Sequence, residues 1–424
     1  MRKLVVKGQY LAYDNGDPFF WLGDTAWELF HKLTDEDAEL YFKTRQRQGY
    51  NVIQSVFLAE FDGVNTPDAY GNKVLDSYNE KQIVVNEEYF KNVDRKIALA
   101  EKYGLYVALV TTWGDKFNKK EFGVGPEILT PENSYHFAST LAKRYAEKEN
   151  IIWVLIGDRP LENDYHRAIL DSLGKGIKDF DKNHLVTSHP SGASCSYDYL
   201  PFKDYMDFHM CQSGHDSDTC YKSYDMIRKG LALEGKPVID AECRYENHPA
   251  CFRVYSEYFW DARDLRQNSY QNILVGAFGQ TYGNHPIWYF CTEPTDYFPK
   301  HWKDCLEDEG ANQMVHLKNL RLSRDYFSLR EAPELLISPI QPNLNKIICA
   351  KGKDYGFVYS PLGESFVLDL SQFKGVRVRA TWYDVKTGEC TVDGVYPTDK
   401  ILFVPEKRGK GNDVLLIIDE IEDR

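Results

Sequence analysis

The sequence of 424 residues lacks long hydrophobic runs and concentrated positive charge. No segment approaches the roughly 20 consecutive apolar residues of a membrane-spanning helix, and residues 1–15 lack the apolar core of a signal peptide. Acidic residues (64) outnumber Lys and Arg (51), which gives a net charge of -13, and the longest basic cluster, at 407–410, is short. A nucleic-acid surface needs clustered basic residues. We therefore expect a soluble protein that binds neither nucleic acid nor membrane. The sequence is silent on its oligomeric state.

Cysteine is present without the pattern of a metal site or a disulfide framework. The nine cysteines form no CxxC pair, and their number is odd. In a chain of this length we expect mostly free thiols. This favours a cytoplasmic location, or a periplasmic or secreted one if a signal peptide has been removed.

Aromatic residues are abundant instead. They make up 14% of the chain, including 29 Tyr and 8 Trp. Aromatic faces stack on the apolar C–H faces of sugar rings, although large cores and interfaces use aromatic residues as well. Composition alone therefore leaves a sugar-binding function and simple core packing equally open.

The order of apolar runs indicates the fold. Eight short runs alternate with helical patterns between Phe19 and Tyr289, which favours a parallel sheet with helices on its outside. A Rossmann-type sheet would more often have a glycine-rich turn after its first strand, where this chain has GDTAW. We therefore predict an α/β fold, a (β/α)8 (TIM) barrel. The predicted strands are Phe19–Gly23, Val52–Leu58, Tyr106–Thr111, Ile151–Gly157, Leu185–Ser188, Met206–Cys211, Pro237–Ala241 and Ile273–Phe278.

The remaining segments complete a two-domain organisation, as expected because single cores rarely exceed ~250 to 300 residues. Caps at Thr34, Asn86 and Thr130 predict helix starts, and Leu4–Tyr13 reads as one strand that covers the bottom of the barrel. Helical residues 313–329 lead into short strand-like runs separated by turns. We predict a catalytic barrel over residues 1–330 and a small all-β sandwich over residues 331–424.

Catalytic groups of a (β/α)8 barrel lie at the carboxyl ends of its strands. Two carboxylates stand out there: Asp158 after strand four and Glu242 after strand seven, on opposite sides of the barrel mouth. Glycosidases need such a pair, one as acid and base and one as nucleophile or base. Polar and aromatic residues follow every predicted strand, in order Asp24, Trp27, Glu60, Asp62, Trp113, Asp115, Asp158, Arg159, His189, Gln212, His215, Glu242, Arg244, Tyr282 and His285.

Other readings of these residues are structural. Asp240 lies two residues before Glu242 on the same strand face, and we expect a buried, hydrogen-bonded carboxylate there. The histidines after the strands could suggest metal, but metal-dependent barrel hydrolases usually place an HxH pair after strand one. We expect no metal site and no cofactor. Cys211, Cys243 and Cys251 are expected to be packing residues.

Taken together, the strand-end strings resemble the apiosidase-like glycoside hydrolases, glycoside hydrolase family 140 and its relatives, along the whole chain. The resemblance is carried by FFWLGDTAWELFHKLT from Phe19, NVIQSVFLAEFDG from Asn51, LYVALVTTWGDK from Leu105, IIWVLIGDRP from Ile151, SHPSG from Ser188, QSGH from Gln212, KPVIDAECRYE from Lys236 and GQTYGNH from Gly279. The tail resembles the β-domain named in these proteins for collagen binding, a name that we do not carry over as a function.

The resemblance implies that Asp158 is the acid and base and Glu242 the nucleophile. The family usually has DGEPRYE where this chain has DAECRYE, and these departures bear on substrate more than on mechanism. The expected function is retaining hydrolysis of an oligosaccharide from plant cell walls. The alternatives are a catalytically inactive carbohydrate-binding barrel and a metal-dependent amidohydrolase. We expect a sugar subsite shaped by Trp27, Trp113, Tyr282 and His285, with hydroxyls bound by Asp24, Glu60, His189 and Gln212 and carboxylates held ionised by Arg159 and Arg244.

Overall fold

A small antiparallel sheet at the start of the chain lies beneath the barrel. Its strands are β1 (Leu4–Lys7), β2 (Tyr10–Tyr13) and β3 (Pro18–Phe19), and β1 pairs with β2 across a turn at Gly8, where φ is +61°. The Tyr106 hydroxyl, at the start of a barrel strand, donates to the carbonyl of Arg2. The predicted cover is therefore present, but as a hairpin instead of one strand. The computed structural model describes residues 1–120, 123–200, 203–216, 223–255, 258–339 and 342–421.

Eight parallel strands form the barrel, as predicted. Six of them are paired in the order β14-β4-β5-β8-β9-β10, and β12 pairs with β13. The Asp207 amide donates to the Val186 carbonyl at 2.8 Å and the Phe278 amide to the Val238 carbonyl at 3.3 Å, which joins the two sheets into a ring. The strands from here to the last barrel strand are β4 (Trp21–Thr25), β5 (Val52–Leu58), β6 (Leu75–Tyr78), β7 (Ile83–Val85), β8 (Tyr106–Thr112), β9 (Ile151–Val154), β10 (Val186–Thr187), β11 (Ser194–Cys195), β12 (His209–Gln212), β13 (Val238–Asp240) and β14 (Gly279–Tyr282).

The helices begin where side chains cap them. Thr34, Asn86 and Thr130 accept hydrogen bonds from first-turn amides, as their sequence pattern predicts. The helices are α1 (Leu29–Lys32), α2 (Asp35–Arg47), α3 (Glu87–Lys102), α4 (Pro131–Tyr145), α5 (Asp164–Phe180), α6 (Ser196–Tyr199), α7 (Ser223–Glu234), α8 (Ala262–Leu274), α9 (His285–Trp288) and α10 (Glu309–Leu322). No helix among the described residues combines the length and the apolar character that a membrane crossing requires.

The predicted eighth strand is wrong. The run 273–278 begins inside α8, and the eighth strand is β14, whose polar sequence GQTY gives no apolar signal. Most of the described cysteines are free thiols, as predicted: Cys243, Cys251, Cys291, Cys305, Cys349 and Cys390. Cys211, expected to be a packing residue, instead forms a disulfide with Cys195 that links β11 to β12. The remaining cysteine, Cys220, lies outside the described residues.

The C-terminal part is all β. Two sheets, of order β15-β17-β18-β23-β20-β21 and β16-β19-β22, enclose an apolar core that includes Val358, Phe366 and Leu416. Buried groups join this part to the barrel: Arg266 of α8 binds Asp413 through two hydrogen bonds of 2.8 and 2.9 Å. The strands are β15 (Arg330–Glu331), β16 (Leu336–Ser338), β17 (Ile348–Lys351), β18 (Tyr355–Ser360), β19 (Phe366–Asp369), β20 (Arg377–Tyr383), β21 (Cys390–Pro397), β22 (Lys400–Phe403) and β23 (Val414–Glu420).

Candidate active site

Asp158 lies just beyond β9 in a backbone conformation that few non-glycine residues adopt. Its φ is +40°, in the left-handed region, where strain is most often found at functional sites. The preceding residue must be glycine, because a Cβ at Gly157 would lie 2.3 Å from the Trp113 ring. Arg159 folds back so that Nη1 donates to the Asp158 carbonyl oxygen at 2.5 Å and lies 3.3 Å from its carboxylate. The short sequence GDR thus directs one carboxyl group into the barrel mouth.

Glu242 follows β13 and is flanked by two histidines. His215 Nε2 lies 3.0 Å from Oε1, and His189 Nε2 lies 3.4 Å from Oε2 in a geometry that falls outside a hydrogen bond. Burial lowers the pKa of both histidines to about 3, so both are neutral at physiological pH. A neutral His215 donates its Nε2–H to an ionised Glu242.

Gln212, the last residue of β12, connects the two carboxyl groups. Its side-chain amide interacts with both Asp158 and Glu242 and lowers the pKa of each. The Tyr245 hydroxyl also faces Glu242 and lowers its pKa, although this hydroxyl does not reach full hydrogen-bond geometry. Asp158, Glu242 and Gln212 therefore form one cluster.

Burial is the dominant electrostatic effect on this pair. It raises the pKa of Asp158 to about 7, with the charge of Glu242 as the next contribution, and it raises the pKa of Glu242 to about 8. Two interacting carboxyl groups with such pKa values share one proton near neutral pH. The site can therefore present an acid and a carboxylate at the same time.

Several buried polar atoms around this pair have no hydrogen-bond partner among the described residues. Such atoms are costly unless a ligand or water satisfies them. Hydroxyl groups of a sugar can act as donor or acceptor for each of them. The atoms are Glu242 Oε2, both ring nitrogens of His189, His215 Nδ1, Gln212 Oε1 and Trp113 Nε1.

Three of the predicted rings lie together beside Glu242. Trp27 is 5.3 Å from both Trp113 and His189, measured between ring centroids, and the latter two are 6.4 Å apart. All three are almost fully buried. They form an apolar wall of the kind that packs against the C–H face of a sugar.

Glu60 lies on the side of the mouth that holds Asp158. Burial raises its pKa well above the usual range, with further contributions from the charges of Glu28 and Asp158, while Arg159 lowers it. Glu28 is 3% exposed, and its Oε1 has no hydrogen-bond partner in the described part of the chain. Burial likewise raises the pKa of Glu28, to about 7.

Three predicted substrate-binding residues face the other side of the barrel wall. Asp24 accepts hydrogen bonds of 2.5 Å from Arg45 Nε and 2.5 Å from the Tyr41 hydroxyl, both on α2. Tyr282, paired with Asp24 across the sheet, donates to Glu246 at 2.6 Å. The structure contradicts these two expectations, because alternate residues of a strand face opposite sides.

Arg244 is the third predicted substrate-binding residue on the other side of the barrel wall. Its side chain is buried over the Trp260 ring, and Nη1 donates to the Asp264 carbonyl at 3.2 Å. The expectation that Arg244 holds Glu242 ionised is wrong, and neutral donors occupy that place. Arg159, the other predicted arginine, contacts Asp158.

His285 lies farther from the carboxyl pair than predicted. It is 4.4 Å from His248, and His248 is in turn 4.4 Å from His215. Asp240 is a hydrogen-bonded carboxylate, as expected: Ser213 Oγ donates to it at 2.7 Å and Asn272 Nδ2 at 3.2 Å.

Sequence reasoning missed Tyr245, His248 and Glu28. Tyr245 occurs three residues after Glu242 in the string ECRYE, and His248 three residues later, so proximity in sequence could have indicated both. Glu28 follows Trp27 directly and was open to the same argument. Gly283 supports Tyr245, because a Cβ there would lie 2.0 Å from the Tyr245 ring.

Among the described residues, no group of three or more His, Cys, Asp or Glu side chains has the arrangement of a metal site. His209, the first residue of β12, hydrogen-bonds Ser196 at 2.9 Å and lies 3.4 Å from Glu234.

The barrel, the carboxyl pair and similar solved structures define a glycoside hydrolase. The family model described as "Apiosidase-like, catalytic domain" matches residues 6–328, and the chain belongs to that family. The model described as "Putative collagen-binding domain of a collagenase" matches residues 332–419. The family predicted from sequence is therefore confirmed.

Two solved structures are similar over nearly their whole length. One, named glycoside hydrolase, is 31% identical, with 100% of this chain and 98% of that chain covered and a TM-score of 0.90. A glycoside hydrolase family 5 protein from Bacteroides vulgatus ATCC 8482 is 29% identical, with 99% and 93% covered and a TM-score of 0.88. An endo-1,4-beta-mannanase from Rhizomucor miehei shares the fold at 14% identity, with 76% and 100% covered and a TM-score of 0.55. No curated protein matches the chain in sequence.

Proposed function

We propose that this protein hydrolyses a glycosidic bond of a plant cell-wall oligosaccharide with retention of configuration, using Glu242 as nucleophile and Asp158 as acid and base. The observation that carries the proposal is the pair of carboxyl groups at the ends of two strands of one barrel: Glu242, held by His215 Nε2 at 3.0 Å, and Asp158, whose pKa the charge of Glu242 raises. Such a raised pKa indicates that the two groups are close enough to interact. Retaining glycosidases use a nucleophile and an acid about 5 to 5.5 Å apart.

The surroundings of each carboxyl group favour these roles. Although the pKa of Glu242 is raised to about 8 and that of Asp158 to about 7, His215 donates to Glu242, and Gln212 and Tyr245 lower its pKa, so all three favour its ionised form. Once Glu242 is ionised, its charge raises the pKa of Asp158 and keeps that group protonated. The pair is then one nucleophile and one acid.

The reaction follows in two steps. Glu242 attacks the anomeric carbon while Asp158 transfers its proton to the departing glycosidic oxygen, which leaves a glycosyl ester on Glu242. Asp158, now ionised, takes a proton from water, and the water oxygen attacks the same carbon and releases Glu242 as a carboxylate. Both carboxyl groups return to their initial state.

The substrate class is supported by the family and by the site. The family is described as apiosidase-like, which favours a sugar substrate. The Trp27, Trp113 and His189 rings offer an apolar wall beside Glu242, and the unpartnered polar atoms around it suit hydroxyl groups.

The test is hydrolysis of plant cell-wall oligosaccharides, including apiose-containing pectin fragments, by the wild type, Asp158→Ala and Glu242→Ala. We expect each variant to lose about 10³-fold or more in kcat on the substrate that the wild type cleaves. The exposed residues Asp164 and Glu307 supply matched controls, Asp164→Ala and Glu307→Ala, which should match the wild type. Unchanged cleavage by either site variant would show that the assignment is wrong.

Reaction with azide distinguishes the nucleophile from the acid and base. In Asp158→Ala, azide should react with the glycosyl ester and give a glycosyl azide of retained configuration. In Glu242→Ala, azide should replace the missing carboxylate and give the inverted azide. Exchanged stereochemistry would reverse the assignment, and an inverted sugar from the wild type would contradict the retaining mechanism.

A further inference from the structure

An exposed aromatic ring stands at the rim of the barrel mouth, next to the side that holds Asp158. Phe61 is 46% exposed, although it follows directly after Glu60 at the end of the second barrel strand. Glu60 interacts electrostatically with Asp158 and Arg159. Phe61 therefore lies in the loop after the second barrel strand, at the carboxyl end of the barrel and one residue from a side chain that interacts with Asp158.

The backbone holds this ring in place at a cost. Phe61 and Asp62 both have left-handed φ values, +50° and +65°, which are uncommon for residues other than glycine. The turn is closed by the Gly63 amide, which donates to the Glu60 carbonyl at 3.0 Å, and a Cβ at Gly63 would lie 2.6 Å from the Ala59 oxygen. Such strain persists where the surrounding structure requires it, often at ligand-binding sites.

The ring is also oriented by its neighbours. Phe61 stacks on Trp288 with ring centroids 6.0 Å apart and planes 19° from parallel, and its edge contacts Tyr289 at 5.6 Å. Trp288 is fixed in turn, because its indole Nε1 donates to His285 Nδ1 at 3.0 Å. One face of Phe61 is thus supported by the protein, and the ring remains nearly half exposed.

A row of aromatic rings extends from Glu242 to Phe61. The row runs from His215, which contacts Glu242, through His248 and His285 to Trp288, with centroid separations of 4.4, 4.4 and 6.0 Å. Phe61 continues the row to the rim. Phe61 is the exposed end of this row, whereas the other four rings are buried.

We propose that Phe61, supported by Trp288, is a stacking platform for the sugar ring on the leaving-group side of the scissile bond. The inference rests on the proposed function. The ligand is a pyranose or furanose ring whose C–H face contacts the exposed face of Phe61, and it is the unit that departs with the oxygen that Asp158 protonates. Phe61 is thus a residue that determines which leaving-group sugar is accepted.

The test compares two substrates that transfer the same sugar to Glu242 and differ in the leaving group. One is the panel oligosaccharide that the wild type cleaves fastest, and the other is the corresponding glycosyl fluoride, whose leaving group has no ring. For Phe61→Ala we expect kcat/KM on the oligosaccharide to fall about 5- to 10-fold, as the loss of one aromatic contact predicts. For the fluoride, kcat/KM should change less than about 2-fold, because the sugar that is transferred to Glu242 does not contact Phe61.

Controls address the ring and the fold. Phe61→Trp retains a stacking surface and should stay within about 2-fold of the wild type on both substrates. Phe180, at the last position of α5 near the barrel bottom, is exposed to a similar extent (42%), and Phe180→Ala should leave both rates unchanged. Alanine also has a Cβ, so the backbone strain at position 61 is retained in Phe61→Ala.

Equal loss on both substrates, or no loss on either, would overturn this proposal while leaving the carboxylate assignment intact. Retained cleavage by Glu242→Ala would instead overturn that assignment, and the ratio between substrates in Phe61→Ala would still decide the role of the ring. If the wild type cleaves no panel member, calorimetric binding of the same oligosaccharides decides: weaker binding by Phe61→Ala supports the platform, and equal binding or no binding overturns it.

Discussion

Two carboxylate clusters lie near the carboxyl ends of barrel strands, on opposite sides of the barrel wall. On the outer side, Asp24 is fully buried and accepts hydrogen bonds from Arg45, Tyr41 and the Thr25 amide. On the inner side, Glu242 is almost as buried, yet its Oε2 has no hydrogen-bond partner among the described residues. A saturated carboxylate stabilises a fold, whereas an unsaturated one is available to a ligand.

The largest expected difference between the clusters is in Glu242→Gln. We expect a loss of about 10³-fold or more in kcat, because an amide cannot act as the nucleophile. The same change should increase the free energy of unfolding. The pKa of Glu242 is raised from 4.5 to about 8, so its contribution to stability is complete below its unfolded pKa and is lost as pH rises toward 8.

Urea unfolding of the wild type and Glu242→Gln at several pH values measures this effect. The two proteins should be equally stable near pH 4, and the variant should become more stable above it, by on the order of 4 kcal/mol near pH 8. A variant that is less stable at pH 8 would show that Glu242 is a structural carboxylate like Asp24.

Asp24→Asn should mainly lower stability, whereas Glu242→Gln should mainly lower activity. The substitution leaves the buried Arg45 guanidinium without its counter-charge, which we expect to cost about 3–5 kcal/mol of unfolding free energy. In the matched change Asp17→Asn, an exposed pair with Arg2 is broken, and the free energy of unfolding should hardly change. If folded Asp24→Asn lost activity without losing stability, the distinction between the clusters would fail.

A smaller effect is expected from Gln212→Ala. Its amide lowers the pKa of both Asp158 and Glu242, so its removal should raise both values. In the proposed mechanism activity requires ionised Glu242 and protonated Asp158, so both limbs of the kcat/KM profile should move to higher pH. The loss of an interaction of about 1 kcal/mol corresponds to somewhat less than one pH unit.

The control is Gln48→Ala, since Gln48 is as buried as Gln212, at 4%, but hydrogen-bonds Leu306 and Asn312 outside the barrel. Its profile should not move. Limbs that shift in opposite directions in Gln212→Ala would contradict an interaction of Gln212 with both carboxyl groups.

The sequence predicted the barrel because strands buried on both faces are continuous apolar runs, and the bounds of β5 agree with the prediction. It failed at β14, where polar residues occupy the strand. The rule that strand ends carry the site brought Asp158, Glu242, His189 and Gln212 to one place. The predictions for Asp24 and Tyr282 were wrong because neighbouring residues of a strand point to opposite sides of the sheet. An apolar run that is buried on both faces does not reveal which residues point into the barrel.

The contact between Arg266 and Asp413 has a consequence for how this protein is divided and recombined. Arg266 belongs to a barrel helix, and its counter-ion comes from the β-domain. Without the β-domain, the barrel would expose the Arg266 guanidinium, which is buried in the intact protein. The neighbouring Tyr270 ring would lose its stacking partner Tyr359. A graft of another module onto this catalytic unit must therefore present a carboxylate at that point and an aromatic ring beside it.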